Sequence, residues 1–333
     1  MYFWSHRNGR IGAALLALCV GSTIGPAAAV AAPPAVDAAI APYQSRSGVS
    51  GNLDSIGSDT LNNLMTLWAE SFRKLYPSVR IQVEGKGSST APPALIAGSA
   101  QLGPMSREMK PTEIDEFEKA FGYPPTRIRV GVDALAVYVN KDNPLERLTL
   151  PQLDAIFSKT RTCGTRQAID TWGDAGLAES TWASRPISLY GRNSASGTYG
   201  FFKEVALCGG DFRDTVKEQP GSASVVQGVA EELAGVGYSG IGYRTSGVKT
   251  LEIARKEGDP FVSVEPANVL AGRYPLARFL YIYLNRAPGR PLSPTVEQFL
   301  RFVLSRQGQE AVVKDGYLPL PARIVGQELE QLD

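Results

Sequence analysis

The stretch YGRNSASGTYGFF, residues 190–202, sets one cation, Arg192, ahead of small hydroxyl and glycine residues and then turns into an apolar pattern of helical period. The first backbone amides of a helix lack partners within it, and the aligned peptide dipoles add partial positive charge there. An anion placed at that end therefore meets several donors at once. Glycine lets the backbone come close, and Ser and Thr hydroxyls add donors that rotate to suit a ligand. The same grammar recurs in IGSDT at 56–60 and in GKGSST at 85–90. Each loop alone also reads as a helix cap, because Ser, Thr and Asp are the usual N-cap residues. Three of them, together with a guanidinium whose fork of donors matches a tetrahedral oxyanion, point to a shared anion site. Arg107, in GPMSRE, is a second candidate cation, with a solvated surface position as its alternative.

Outward from these loops, short apolar runs alternate with amphipathic stretches, the pattern of an α/β protein. TLNNLMTLWAESFRKLYP carries Leu61, Leu64, Leu67, Trp68, Phe72 and Leu75 at helical spacing and is closed by Pro77. VRIQVEG reads as a strand, PPALIAGSA as a short helix, RIRVGVDALAVYVN as one or two β segments and RFLYIYLN as another. A middle block brings its own helices at LPQLDAIFSK, YGFFKEVALC and ASVVQGVAEELA; the C-terminal SPTVEQFLRFVLSRQGQEAVVKDG opens on Ser293 and Pro294, a good cap and a good first position. GVGYSG, 235–240, matches the spacing of a dinucleotide fingerprint but follows a helix and precedes a strand-like IGY, so it is expected to be a turn. A P-loop and a G-x-S-x-G nucleophile elbow are both missing.

The 333 residues are 43% apolar and 20% charged, enough for two domains of ordinary size. Residues 1–31 read as a cleaved export signal, with a membrane anchor as the alternative: Arg7 and Arg10 precede an apolar run that glycines interrupt and Pro26 stops, too short to span a bilayer, and small residues such as Ala29 and Ala31 follow at peptidase spacing. Leu18 before Cys19 stands where a lipobox takes a small residue, which argues against a lipid anchor. Residues 32–50 read as a loose leader. Removing the signal takes two of the 34 Lys and Arg and none of the 33 Asp and Glu, leaving a balance near zero that excludes a basic nucleic-acid surface. The single histidine, His6, lies in the signal, so the mature chain has no His for nucleophilic triads or metal sites, and no carboxylate cluster stands at metal-ligand spacing. Cys163 and Cys208 remain, an even number in an oxidising compartment. A disulfide is the expected state, with two buried thiols as the alternative.

In order along the chain, IGSDTLNNLMTLWAESF, GKGSSTAPPALIAG, LGPMSREM, VDALAVYVNKDNPL, LTLPQLDAIFS, GRNSASGTYGFFKE, GIGYR, PLARFLYIYLN and FLRFVLSRQGQEAVVKDGYLPLP resemble the phosphate-specific solute-binding proteins of ABC importers. The resemblance runs from about residue 51 to 321, with GSST, R-x-x-x-SGT and DGYLPLP as its most specific elements. It implies a type II periplasmic binding protein fold, two α/β lobes joined by two crossover strands near 131–139 and 275–285. The first lobe would comprise 51–132 plus 280–333 and the second 133–279. It further implies a monomeric receptor, periplasmic or secreted, that needs no cofactor, binds inorganic phosphate between the lobes and presents it to a membrane ABC permease.

Carried over position by position, the implied phosphate-binding residues are Ser58, Asp59 and Thr60, Ser88, Ser106, and Arg192, Ser196, Gly197 and Thr198, with Arg107 as a further candidate. One position departs from the family pattern. Some members have an aspartate three residues after the glycine of LGPMS, where it accepts the proton of hydrogen phosphate and rejects sulfate; this chain has Ser106 there. A hydroxyl both donates and accepts and so discriminates less, which leaves Asp59 as the candidate acceptor, with a helix-cap role as its alternative. Three other readings stay open: a receptor for a different oxyanion, a secreted phosphate-binding protein of adhesion or signalling, and a phosphoester hydrolase using Ser88 or Ser196. The last is opposed by the missing histidine.

Overall fold

The computed structural model describes residues 34–333, so the signal-peptide reading of 1–31 lies outside the described residues. The chain opens with β1 (Gly51–Ile56), α1 (Asn62–Leu75), β2 (Val79–Glu84), α2 (Ala91–Ile96), β3 (Gly103–Met105) and α3 (Pro111–Phe121). The long β4 (Thr126–Asn140) leads into β5 (Arg147–Thr149), α4 (Leu150–Phe157), β6 (Ser188–Arg192), α5 (Gly197–Val205), β7 (Lys217–Gln219), α6 (Ser222–Glu231), β8 (Gly235–Gly240), β9 (Val248–Thr250), β10 (Glu252–Ala254) and α7 (Pro266–Leu270). The chain then returns through β11 (Ala277–Leu284) to α8 (Pro294–Val303), α9 (Arg306–Lys314) and α10 (Ala322–Glu330).

One strand organises the molecule. Over 126–134, β4 pairs antiparallel with β11; from Leu135 to Val139 it pairs with β8 instead. The sheet order is β3-β11-β4-β8-β6-β7, and the parallel pair β1-β2 adjoins it through a bridge from Ser55 to Leu102. Change of partner within a single strand joins two α/β halves at a seam. The N-terminal elements, β11 and the C-terminal helices lie on one side of it and the middle block on the other. Twelve of the fifteen residues of β4 are buried, and Ala134 to Val139 are fully so, because this strand is covered on both faces.

Several local expectations are met with adjustments. In α1 the buried face is Leu64, Met65, Trp68, Ala69 and Phe72, while Leu75, in the last turn, is exposed. The indole of Trp68 donates to the Gly308 carbonyl at 2.8 Å and so ties α1 to α9. Ser293 caps α8 through the Val296 amide, and Ser305 opens α9 as a separate helix. Cys163 and Cys208 form a disulfide with Cα atoms 5.4 Å apart. Closing a loop of 45 residues restricts the unfolded chain by about 4 kcal/mol on the loop-entropy account. Replacing both cysteines with serine is accordingly expected to lower the melting temperature in a calorimetric scan; an unchanged temperature would refute that contribution.

Two expectations are corrected. GVGYSG is the fully buried strand β8 and not a turn. Its glycines leave room for α6, since a Cβ on Gly237 would lie 2.9 Å from both Val225 and Val229 side chains. Gly235 and Gly237 thus reflect helix-on-sheet packing, while a Cβ on Gly240 would press on Asp133 and Tyr317. Residues 34–50 lack regular structure but are not loose: Ile40 and Val49 are in the core, and Arg306 donates to the carbonyls of Ala38 and Ile40. Apolar side chains in an irregular segment anchor it when their backbone finds donors elsewhere.

Candidate functional site

The loops singled out in the sequence meet at the seam. Gly57 and Gly87 bring the first two together, the Gly87 amide donating to the Gly57 carbonyl at 2.7 Å. Gly87 has φ +119°, a conformation that favours glycine. Ser58, buried, donates its amide to the Pro104 carbonyl at 2.7 Å, which fixes loop 56–60 against the LGPMS loop. Ser106 in turn donates its amide to the Ser88 hydroxyl at 3.1 Å, and the two hydroxyls are 3.4 Å apart. One half of the molecule therefore presents Ser58, Thr60, Ser88 and Ser106 on adjoining turns, all buried.

The other half meets them with the start of α5. Ser196 caps that helix, accepting the amides of Thr198 and Tyr199, and Phe202 stacks on Tyr238 of β8 with ring centroids 3.9 Å apart. Across the seam, the hydroxyls of Thr60 and Thr198 are 2.9 Å apart and the Ser89 amide donates to the Ala195 carbonyl at 3.0 Å. Gly197 faces the paired serines so closely that a Cβ there would come within 2.6 Å of the Ser106 hydroxyl and closer still to Ser88. The Thr60 carbonyl accepts from the hydroxyls of Tyr317, at 2.8 Å, and Tyr243. Burial pushes both phenols up, so they stay protonated donors.

Arg192 lies at the end of β6 with its side chain only 1% exposed. Its Nη1 donates to the Ser222 hydroxyl at 2.7 Å and stands 3.2 Å from Asp59, and Nη2 donates to the Pro220 carbonyl at 3.0 Å. Burial weighs against its charge and lowers its pKa, with Asp59 opposing that shift. Nε has no hydrogen-bond partner among the described residues. Asp59 does cap a helix, but one in the opposite half: its Oδ2 accepts the amide of Ser222, the first residue of α6, at 2.8 Å. Asp59 and Arg192 thereby form a clasp across the seam.

Arg107 is drawn elsewhere. Its guanidinium forms a fork on both oxygens of Glu113, at 2.6 and 2.7 Å, and reaches the Ser89 hydroxyl at 3.0 Å. Burial alone would raise the Glu113 carboxyl; the arginine outweighs it and holds the group below its ordinary value. Arg107 is neither solvated nor among the converging donors; it steadies the GSST loop from behind. Three residues at the site were not selected from the sequence. Ser222 reads there as an ordinary helix start. Asp133 and Arg278 carried a usable signal: each is a lone charge within an otherwise apolar run, in GVDALAV and PLARFLYIYL. They are cross-strand partners on β4 and β11, and Nη2 of Arg278 lies 2.7 Å from Asp133 and 2.9 Å from the Thr198 hydroxyl.

Two α/β halves sharing one long strand, with polar loops from both converging on the junction, define the type II periplasmic binding protein fold, a class of solute receptors. A model of the PBP superfamily domain matches residues 42–307. An ABC-type phosphate transport receptor from Vibrio cholerae shares the fold, with a TM-score of 0.62 at 22% identity over 81% of this chain and 100% of that one. The chain is also 58% identical to the phosphate-binding protein PstS of Pseudomonas aeruginosa over 323 residues, 97% of this chain and 98% of that protein. Protein SphX of Synechococcus elongatus is 28% identical across 87% of this chain and 83% of its own length. The chain belongs to the PstS family of phosphate-binding proteins within that superfamily.

Proposed function

We propose that this protein is an extracytoplasmic receptor, exported by its N-terminal signal, that captures inorganic phosphate between its two halves and delivers it to a membrane ABC permease. The observation that carries this reading is the convergence of Thr60, Ser88 and Ser106 on Gly197 and Thr198 across the seam, with Arg192 held beside Asp59. A small polyatomic anion leaving water has to recover its hydrogen bonds, and a cluster of hydroxyls, helix-start amides and a buried guanidinium supplies them from fixed positions. Ser58 and Ser196 shape the loops, and Arg107 acts through Ser89. Taking 51–132 plus 280–333 and 133–279 as the moving parts, the ligand touches donors from both and so favours the closed form, a difference that a permease senses. The monomer suffices for this role, and the chemistry requires no cofactor and no turnover.

Asp59 is assigned the discriminating role. Its Oδ2 is engaged by Arg192 and the Ser222 amide, and Oδ1 is left to accept the proton of hydrogen phosphate. A fully ionised sulfate would set an oxygen against a carboxylate that only accepts, an arrangement that costs affinity. Calorimetric titration of the mature chain with phosphate, arsenate and sulfate tests both statements. Phosphate and arsenate should bind and sulfate should fail to compete, whereas absence of phosphate binding would refute the receptor reading. In Asp59→Asn, sulfate is expected to gain at least about tenfold relative to phosphate, the scale of one hydrogen-bonded acceptor; unchanged selectivity would remove the role from Asp59.

A further inference from the structure

Each of the two buried guanidinium groups at the seam is held by a carboxylate: Arg192 by Asp59, and Arg278 by Asp133. Arg278 does not rise from either family of loops but from β11, and Asp133 from the facing position of β4, so the second pair is built into the strands that join the halves. Both its side chains are essentially inaccessible, at 2% and 0%. Asp133 uses Oδ2 for Nε and Nη2 of Arg278 and Oδ1 for the Ile241 amide at 3.1 Å, which leaves the guanidinium fixed from one edge. Nη2 also donates to the Thr198 hydroxyl, the ring centroid of Phe201 lies 5.3 Å from the guanidinium carbon, and Nη1, fully buried, has no hydrogen-bond partner among the described residues. A buried guanidinium N–H without an acceptor is costly, and such groups in native proteins are exceptions that ask for an explanation.

We infer that Arg278 is a second anion-binding guanidinium of this receptor, donating from Nη1 to the bound oxyanion beside Thr198 while Asp133 orients it. The inference rests on the phosphate reading above and adds to it a residue contributed by the joining strands. Its consequence is that charge on the ligand is balanced by two cations, each already countered by one aspartate. A dianion thus enters a region near neutrality and is bound by redistributing donors, with little unbalanced charge left in the apo protein. Because Arg278 lies on the strand at which the halves meet, it also couples occupancy of the site to the geometry of the seam.

The alternative is that the pair merely stabilises the two strands, and charge-selective variants separate the two roles. Asp133→Asn keeps the acceptor for the Ile241 amide and frees the guanidinium from its countercharge. The double variant Asp133→Asn/Arg278→Gln removes both charges and leaves no orphan ion in the core. Phosphate titration by calorimetry, with thermal melts to confirm folding, is expected to show Asp133→Asn binding at least as tightly as wild type. The double variant should be weaker by about 30-fold or more, the scale of a lost charge-assisted hydrogen bond. A structural pair predicts equal affinities for the two variants, and that result, with both folded, overturns the inference while leaving the receptor reading intact. Wild-type protein that binds no phosphate would overturn both.

Discussion

Arg192→Met is expected to weaken phosphate binding at least about a thousandfold, or about 4 kcal/mol. Methionine fills much of the arginine's volume and preserves the packing around β6, so the loss reports chemistry. Arg192 is a buried charge at the end of β6, the strand that leads into α5. Its bonds to Ser222 and Pro220 and its approach to Asp59 hold the head group in one orientation before any ligand arrives. Preorganised charge in a site closed to water counts for more than the same charge at a surface. Loss of two charge-assisted hydrogen bonds accounts for most of the figure, at roughly 1.5–3 kcal/mol each. Asp59, left without its partner, adds to it by facing the anion uncompensated. An affinity within tenfold of wild type, measured by calorimetry on folded protein, would show that Arg192 does not contact the ligand.

Gly197→Ala should cost about a hundredfold in phosphate affinity with little loss of stability. Alanine is the better helix former and Gly197 is the first residue of α5, so the helix itself gains. The added methyl has no room at the seam, where it would press on Ser88 and Ser106 in the opposite half. A Cβ so close to the Ser88 hydroxyl forces that side chain aside or the two halves apart by about an ångström, and hydroxyls set for short hydrogen bonds lose their geometry. Titration and small-angle scattering read the two consequences together: weaker binding and a phosphate-saturated form more extended than wild type. Wild-type affinity in this variant would mean that the serines and α5 do not close on a common ligand.

Much of the architecture was legible because it is written locally. A period of 3.6 in TLNNLMTLWAESF, alternation in VRIQV and a Ser-Pro opening at 293 each depend on neighbours a few residues away, and α1, β2 and α8 appear where those patterns lie. The failures share a cause. GVGYSG looks like a turn because glycine is a turn residue, but Gly237 is there because the preceding helix α6 folds back onto the strand, a packing that local turn propensity does not report. Arg107 looked like a surface or ligand cation until Glu113 came within reach of it. The segment expected to be a loose leader is anchored, within its described residues 34–50, by Arg306 of α9.

The sequence alone determined the kinds of donor available, their loops, and the helices and strands that carry them, since caps, periods and glycine tolerance act over a handful of residues. Tertiary structure decided which of those donors meet. Thr60 finds Thr198 across 138 residues, and Asp133 finds Arg278 across 145, through the register of β4 against β11. Register follows from packing of the whole sheet, and a slip of one residue between β4 and β11 would put the two charges on opposite faces.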